Sequence, residues 1–183
     1  GICGGCCWQQ VQYQEQLSCK SRIIVDAFKT LGNISIELDQ VHPSPLEWHY
    51  RNKMDLNFGR DDSGNLLIGQ HLPGSYSELV DTRGCLLQPE ILHDVVNFLK
   101  DSSELSDLSV WNPRTHEGFL RQLLLRYGFR TDELMVVITT TPGEFPGIEA
   151  LVSRMRERFP QLKSFFWATN TRLSDVFDME TIC

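Results

Sequence analysis

The spacing of apolar positions changes several times along the chain, and each change marks an element. Val11, Leu17, Ile24, Phe28 and Leu31 recur near helical spacing, and Gly32-Asn33 supplies a stop, so a helix is predicted over 8–32. Residues 33–47 show no period, and Pro43 and Pro45 mark a connection. Between Arg51 and Phe58 the pattern alternates. Asn52, Met54, Leu56 and Phe58 lie on one side, with Arg51, Lys53, Asp55 and Asn57 on the other, which predicts a half-buried strand. Asp61-Asp62-Ser63-Gly64 is a turn signal, and 66–72 pairs back as a hairpin. Pro73-Gly74 turns the chain towards a short third strand over 78–81.

Pro89–Lys100 reads as a helix with Pro89 in its first position and an apolar stripe of Ile91, Leu92, Val95, Phe98 and Leu99. Residues 101–109 read as a polar linker. Strands are predicted over 120–127 and 134–140, joined by a hairpin at Arg130-Thr131-Asp132. A helix starting at Pro146 with Ile148, Leu151, Val152, Met155 and Phe159 on one face follows, then a strand over 162–168. Hairpin-linked strands with helices between pairs predict an α+β fold with a largely antiparallel sheet and flanking helices.

Composition narrows the function classes. The chain has 183 residues, 41% hydrophobic and 22% charged, as in a globular protein. No apolar run reaches the roughly 18 residues of a membrane span. The formal net charge is −7. Residues 1–60 are balanced and the whole excess lies in 61–183, which argues against indiscriminate nucleic-acid binding and leaves room for a narrow basic patch. The start does not read as a secretory signal, and both ends read as cuts through a longer protein.

Of six cysteines, Cys3-Gly-Gly-Cys6 places two thiols one tight turn apart, a spacing that serves zinc and iron–sulfur clusters alike. A thioredoxin-like setting for a redox pair is not seen. Cys85, in a turn before a helix, is the best remote partner. Cys7, Cys19 and Cys183 read as ordinary thiols. His42, His49, His71, His93 and His116 are the histidines available to zinc, none at a standard ligand spacing.

Several stretches then come in one order: Cys3-Gly-Gly-Cys6 with Gln9, Tyr13, Gln16-Leu17 and Lys20; His49-Tyr50-Arg51-Asn52-Lys53-Met54; Val80-Asp81 with Cys85-Leu86-Leu87-Gln88; Gly118-Phe119-Leu120-Arg121 with Leu125-Arg126; Glu133-Leu134-Met135-Val136-Val137; and Asn170. Together they resemble the central part of RNA (uracil-5-)-methyltransferases, from residue 3 to about 173. The resemblance implies an S-adenosylmethionine-dependent enzyme making 5-methyluridine in rRNA or tRNA, cytoplasmic and monomeric, with no membrane attachment. It implies a [4Fe–4S] cluster with Cys3, Cys6 and Cys85 as ligands; the position of the family's fourth cysteine falls upstream of Gly1. It also implies an RNA-binding β-barrel and a methyl-donor domain outside this chain.

No glycine-rich donor loop or catalytic cysteine is found here, and Asn112-Pro113-Arg114 reads as a turn. The fragment alone is therefore expected to be inactive, and S-adenosylmethionine to belong to the full-length protein. The expected organisation is a cluster loop and helix start over 1–17, a helix and connection packing on the donor domain over 18–48, a central α+β domain over 49–175 and a link over 176–183. Arg51 and Lys53 on one strand, and Arg121 and Arg126 on another, are the candidate RNA contacts. A stand-alone zinc-binding RNA adaptor using Cys3, Cys6, Cys85 and one histidine is the alternative.

Overall fold

The structure is a computed structural model that describes residues 2–173 and the backbone of 180–181. Cys183 and most of the expected link over 176–183 lie outside the described residues. The chain divides into two compact units, one formed chiefly by Gly5–Glu47 and the other by Ile2–Gly4 with Trp48 onwards.

The first unit is built on helix α1 (Tyr13–Gly32). It starts five residues later than the apolar period suggests. Val11 N–H donates to the Trp8 carbonyl, making a turn, and the Gln16 amide donates to the carbonyls of Trp8 and Val11, at 3.1 and 2.9 Å. The predicted stop is correct: Asn33 adopts a left-handed conformation (φ 51°) and its N–H reaches the Phe28 carbonyl. Residues 33–47 form neither helix nor strand, and Ser44 N–H donates to the Tyr13 hydroxyl at 2.6 Å, tying them back to the helix. Of the helix residues, Leu17 alone is buried; Ile23, Ile24, Phe28 and Leu31 are exposed.

The second unit carries a seven-stranded sheet: β1 (Lys53–Arg60), β2 (Leu66–His71), β3 (Leu79–Asp81), β4 (Leu120–Gly128), β5 (Glu133–Thr140), β6 (Leu162–Thr169) and β7 (Glu180–Thr181), in the order β3-β2-β1-β4-β5-β6-β7. Every pairing is antiparallel except β5–β6, which is parallel. That exception follows from the crossover helix α4 (Ile148–Arg158) between the two strands, since parallel neighbours need a long connection. The architecture is α+β, as the sequence predicts.

Helices α2 (Glu90–Lys100), α3 (Ser103–Ser106) and α4 share one core with one face of the sheet. Met54, Leu56 and Phe58 of β1 point into it, together with Ile68, Leu123, Leu125, Val136 and Ile138; Leu92, Val95 and Leu99 of α2 and Leu151 and Met155 of α4 close it. The alternation read in β1 thus specifies which face is buried. Two local expectations are corrected. Pro89 is the N-cap, in extended conformation, rather than the first helical residue. The polar linker over 101–109 contains α3, whose Leu105 is fully buried.

The opposite sheet face is more open, with a small apolar group of Leu124, Val137 and Ala168 flanked by Met135 and Phe166.

Two carboxylates link the helices into this unit. Asp81 accepts from Lys100 at 2.6 Å and from Arg83 at 2.7 Å. Arg154 of α4 grips both oxygens of Glu104, at 2.8 and 2.7 Å. For both carboxyls burial raises the pKa, but the other contacts outweigh it. Lys100 and the Arg83 backbone hold Asp81 below its ordinary value, and a backbone N–H and Arg154 do the same for Glu104. A carboxyl with a depressed folded pKa stabilises above its unfolded pKa, and that contribution is lost as pH falls through the folded value. Thermal melts of the chain are therefore expected to hold steady above about pH 5 and to drop steadily below about pH 4. Asp81→Asn should melt lower at neutral pH and show a shallower acid slope; an unchanged slope would remove Asp81 from this account.

Candidate functional site

The sequence-predicted residues fall on three parts of the second unit and on the loop before α1. In Cys3-Gly-Gly-Cys6, Gly4 N–H donates to the His71 carbonyl at 2.8 Å, and a Cβ at Gly4 would stand 3.3 Å from that oxygen. The absence of a side chain there lets this turn run against the end of β2.

Cys85 closes a tight turn. Its N–H donates to the Thr82 carbonyl at 3.0 Å, with Gly84 at φ +84° in the position where such a turn needs glycine. The turn is held by a polar network. His93 lies 3.0 Å from the Cys85 carbonyl through Nε2 and 2.9 Å from the Gln88 amide through Nδ1; Gln88, itself fully buried, also donates to the Thr82 carbonyl at 3.4 Å. An imidazole that donates from Nε2 and accepts at Nδ1 satisfies both contacts. His93 is thus occupied as a structural residue of this turn.

Cys3, Cys7, Cys19 and Cys85 are free thiols. Among the described residues, no group of three or more His, Cys, Asp or Glu side chains gathers into a metal site.

The basic candidates separate. Lys53 of β1 and Arg126 of β4 are Cα partners in the antiparallel ladder, and both are exposed. Their side chains share the open face of the sheet, with Lys53 paired to Asp55 at 2.9 Å. Arg51 is half-buried just before β1, where its N–H donates to the Leu87 carbonyl at 2.9 Å.

Arg121 is different. It is 2% exposed, its guanidinium lies 4.2 Å from the centre of the Trp111 ring, and Nη1 donates to the carbonyls of Asn170 and Arg172 at 3.1 and 2.6 Å. The structure places it as an internal anchor for the chain leaving β6, not as a surface cation beside Arg126. The sequence signal for this was an Arg embedded among Leu120, Leu123, Leu124 and Leu125, where a charge survives only with fixed partners.

A cleft of about 1290 Å³ opens beside β1–β3, with Arg60, Tyr76, Asp81, Lys100, Trp111 and Arg114 in its lining. Its cations are engaged internally: Lys100 with Asp81, Arg60 with the carbonyls of Ser106 and Leu108, and Arg114 with the Ser77 hydroxyl. Asn112 caps the N–H groups of Arg114 and Thr115 through Oδ1, so Asn112-Pro113-Arg114 is the turn expected of it.

Three comparisons with known proteins bear on this arrangement. No family model matches the chain. A Thermotoga maritima protein named as an uncharacterised RNA methyltransferase is 34% identical over 176 residues, which are 96% of this chain and 38% of that protein. A Clostridium tetani protein of the same name is 31% identical over 174 residues, 95% of this chain and 37% of its own length. The crystal structure of Pyrococcus abyssi tRNA (uracil-54, C5)-methyltransferase, in complex with S-adenosyl-L-homocysteine, superimposes with a TM-score of 0.73 at 29% identity, over 99% of this chain and 40% of that one.

The chain belongs to this RNA methyltransferase family. It spans well under half the length of the relatives it matches. Within the family, Cys3, Cys6 and Cys85 and the open-face pair Lys53 and Arg126 become the features that call for a role. No helix among the described residues is long and apolar enough to cross a membrane.

Proposed function

We propose that this chain is the central part of an S-adenosylmethionine-dependent methyltransferase that makes 5-methyluridine in rRNA or tRNA. The observation that carries this is the agreement, over 99% of the chain, with the fold of a tRNA uracil-5 methyltransferase that binds S-adenosyl-L-homocysteine. In this proposal the segment holds RNA and the residues that form the new bond lie in the remainder of the protein. Lys53 and Arg126, side by side on an open sheet face, suit a phosphate contact. Arg51, just ahead of β1, is the further candidate contact beside them. Arg121 serves the binding surface indirectly, by fixing the exit from β6.

Uracil C5 is weakly nucleophilic, and the reaction requires a thiolate to add at C6 and a base to remove the C5 proton afterwards. The base has to leave its stack to be reached. What this chain contributes is the grip on the surrounding strand, and α1 with its exposed Ile23, Ile24, Phe28 and Leu31 is the surface proposed to pack on the methyl-donor domain.

Cys3, Cys6 and Cys85 are proposed as three ligands of a [4Fe–4S] cluster whose remaining ligand comes from elsewhere in the longer protein. The support is the resemblance of the Cys3–Cys6 loop and the rigid presentation of Cys85. Iron with acid-labile sulfide in the anaerobically purified full-length protein is expected, with loss of both in Cys85→Ser; stoichiometric zinc without sulfide would favour the adaptor instead.

A further inference from the structure

Two groups of exposed apolar side chains differ in kind. On α1 they are mainly aliphatic, as suits contact with protein. At the start of the second unit they are aromatic and interleaved with polar and cationic groups: Trp48, His49, Tyr50, Arg51, Asn52 and Lys53. Trp48 is 39% and Tyr50 50% exposed, and Leu86 beside them is 44% exposed. Isolated exposed rings are ordinary, but these sit on a backbone that is pinned.

His49 N–H donates to the Leu86 carbonyl at 2.7 Å and Arg51 N–H to the Leu87 carbonyl at 2.9 Å. The His49 ring Nδ1 donates to the Gln88 carbonyl at 2.7 Å, and Gln88 is locked in turn by His93 and Thr82. His49 takes a left-handed φ of +57° to make these contacts. The strip then runs directly into Lys53 and its cross-strand neighbour Arg126.

We propose that Trp48 and Tyr50 form a stacking platform for unpaired bases of the RNA, with Lys53 and Arg126 taking the adjoining phosphates. Rings fixed on a rigid backbone next to cations are the arrangement that binds splayed, single-stranded RNA, because every base offers a π-face and the platform loses little entropy on binding. A protein partner is disfavoured by Arg51 and Lys53, which directly follow the rings, since charges are depleted at the centre of protein interfaces. The platform rests on the RNA-methyltransferase reading above and specifies the form of RNA bound: an unstacked segment rather than a continuous duplex.

The test uses the full-length protein and two probes of equal charge, a uridine 12-mer and an abasic ribose-phosphate strand of the same length. The unsubstituted protein is expected to bind the uridine strand at least about tenfold more tightly, and equal binding overturns the platform. Trp48→Ala and Tyr50→Ala should each weaken uridine-strand binding by about tenfold and abasic binding less than about twofold. Tyr50→Phe should regain most of the loss, because stacking needs the ring and not the hydroxyl. Equal losses on both strands, with a lowered melting temperature, would assign the rings to contact with the rest of the polypeptide and overturn the proposal. No loss on either strand, with methylation of RNA retained, overturns the platform and leaves the methyltransferase standing. No methyl transfer to any RNA by the unsubstituted protein removes both.

Discussion

Gly118→Ala is expected to cost the second unit roughly 3 kcal/mol or more, because it forces two backbones apart. A Cβ on Gly118 would lie 2.1 Å from the Val110 carbonyl oxygen, 2.4 Å from its carbon and 2.6 Å from Trp111 N. These are main-chain atoms that cannot swing aside. The approach is close because 109–112 runs against the start of β4: Phe119 and Leu120 N–H both donate to the Ser109 carbonyl, and Trp111 N–H donates to that of Leu120. Gly118 also sits at φ +118°, where an L side chain is strained on its own account. Gly74→Ala separates the two effects, since Gly74 has φ +78° and open space where its Cβ would go. Strain alone should cost Gly74→Ala about 1 kcal/mol. Denaturant titration of both variants provides the comparison, and a Gly118→Ala loss equal to that of Gly74→Ala would show that the 109–112 segment yields easily.

Arg121→Met is expected to destabilise by a comparable amount, roughly 3 kcal/mol, for a different reason. The substitution keeps apolar bulk near Trp111 but leaves the carbonyls of Asn170 and Arg172 without their donor, and it removes a desolvated cation from an aromatic face. Arg121→Lys should recover little, because an ammonium lacks the planar fork that stacks on the ring and donates at the same time. Salt dependence of RNA binding by the full-length protein separates anchor from phosphate ligand. Loss of one phosphate contact lowers the log–log slope by about 1. Arg126→Met is expected to do so and Arg121→Met is not; a reduced slope in Arg121→Met would restore Arg121 to the RNA surface.

These residues show where sequence is informative. In β1 the alternation of Met54, Leu56 and Phe58 with Lys53, Asp55 and Asn57 is a local consequence of strand geometry, so strand, buried face and exposed face were all legible. The amphipathic α2 and the Gly32-Asn33 stop were legible for the same reason. Short α3 was not, because four residues carry no period and its one buried residue, Leu105, is recognised as such only once the core exists. The start of α1 was overextended because apolar spacing continues through Trp8 and Val11 while their carbonyls are taken by the Gln16 side chain.

The candidate site was legible in part. The turn that presents Cys85 followed from Gly84 and the helix after it. The cross-strand pairing of Lys53 with Arg126 depends on register between distant strands, and the burial of Arg121 depends on carbonyls some 50 positions away, neither of which a single strand's pattern contains.

The central claim is that the longer protein containing this chain methylates C5 of uridine in RNA. The most direct measurement is incubation of the full-length protein with RNA and isotope-labelled S-adenosylmethionine, followed by digestion to nucleosides and mass analysis. Label in 5-methyluridine is predicted for the full-length protein, and none for the isolated 183-residue chain. Label confined to another nucleoside, or transfer by the isolated chain, would contradict the account.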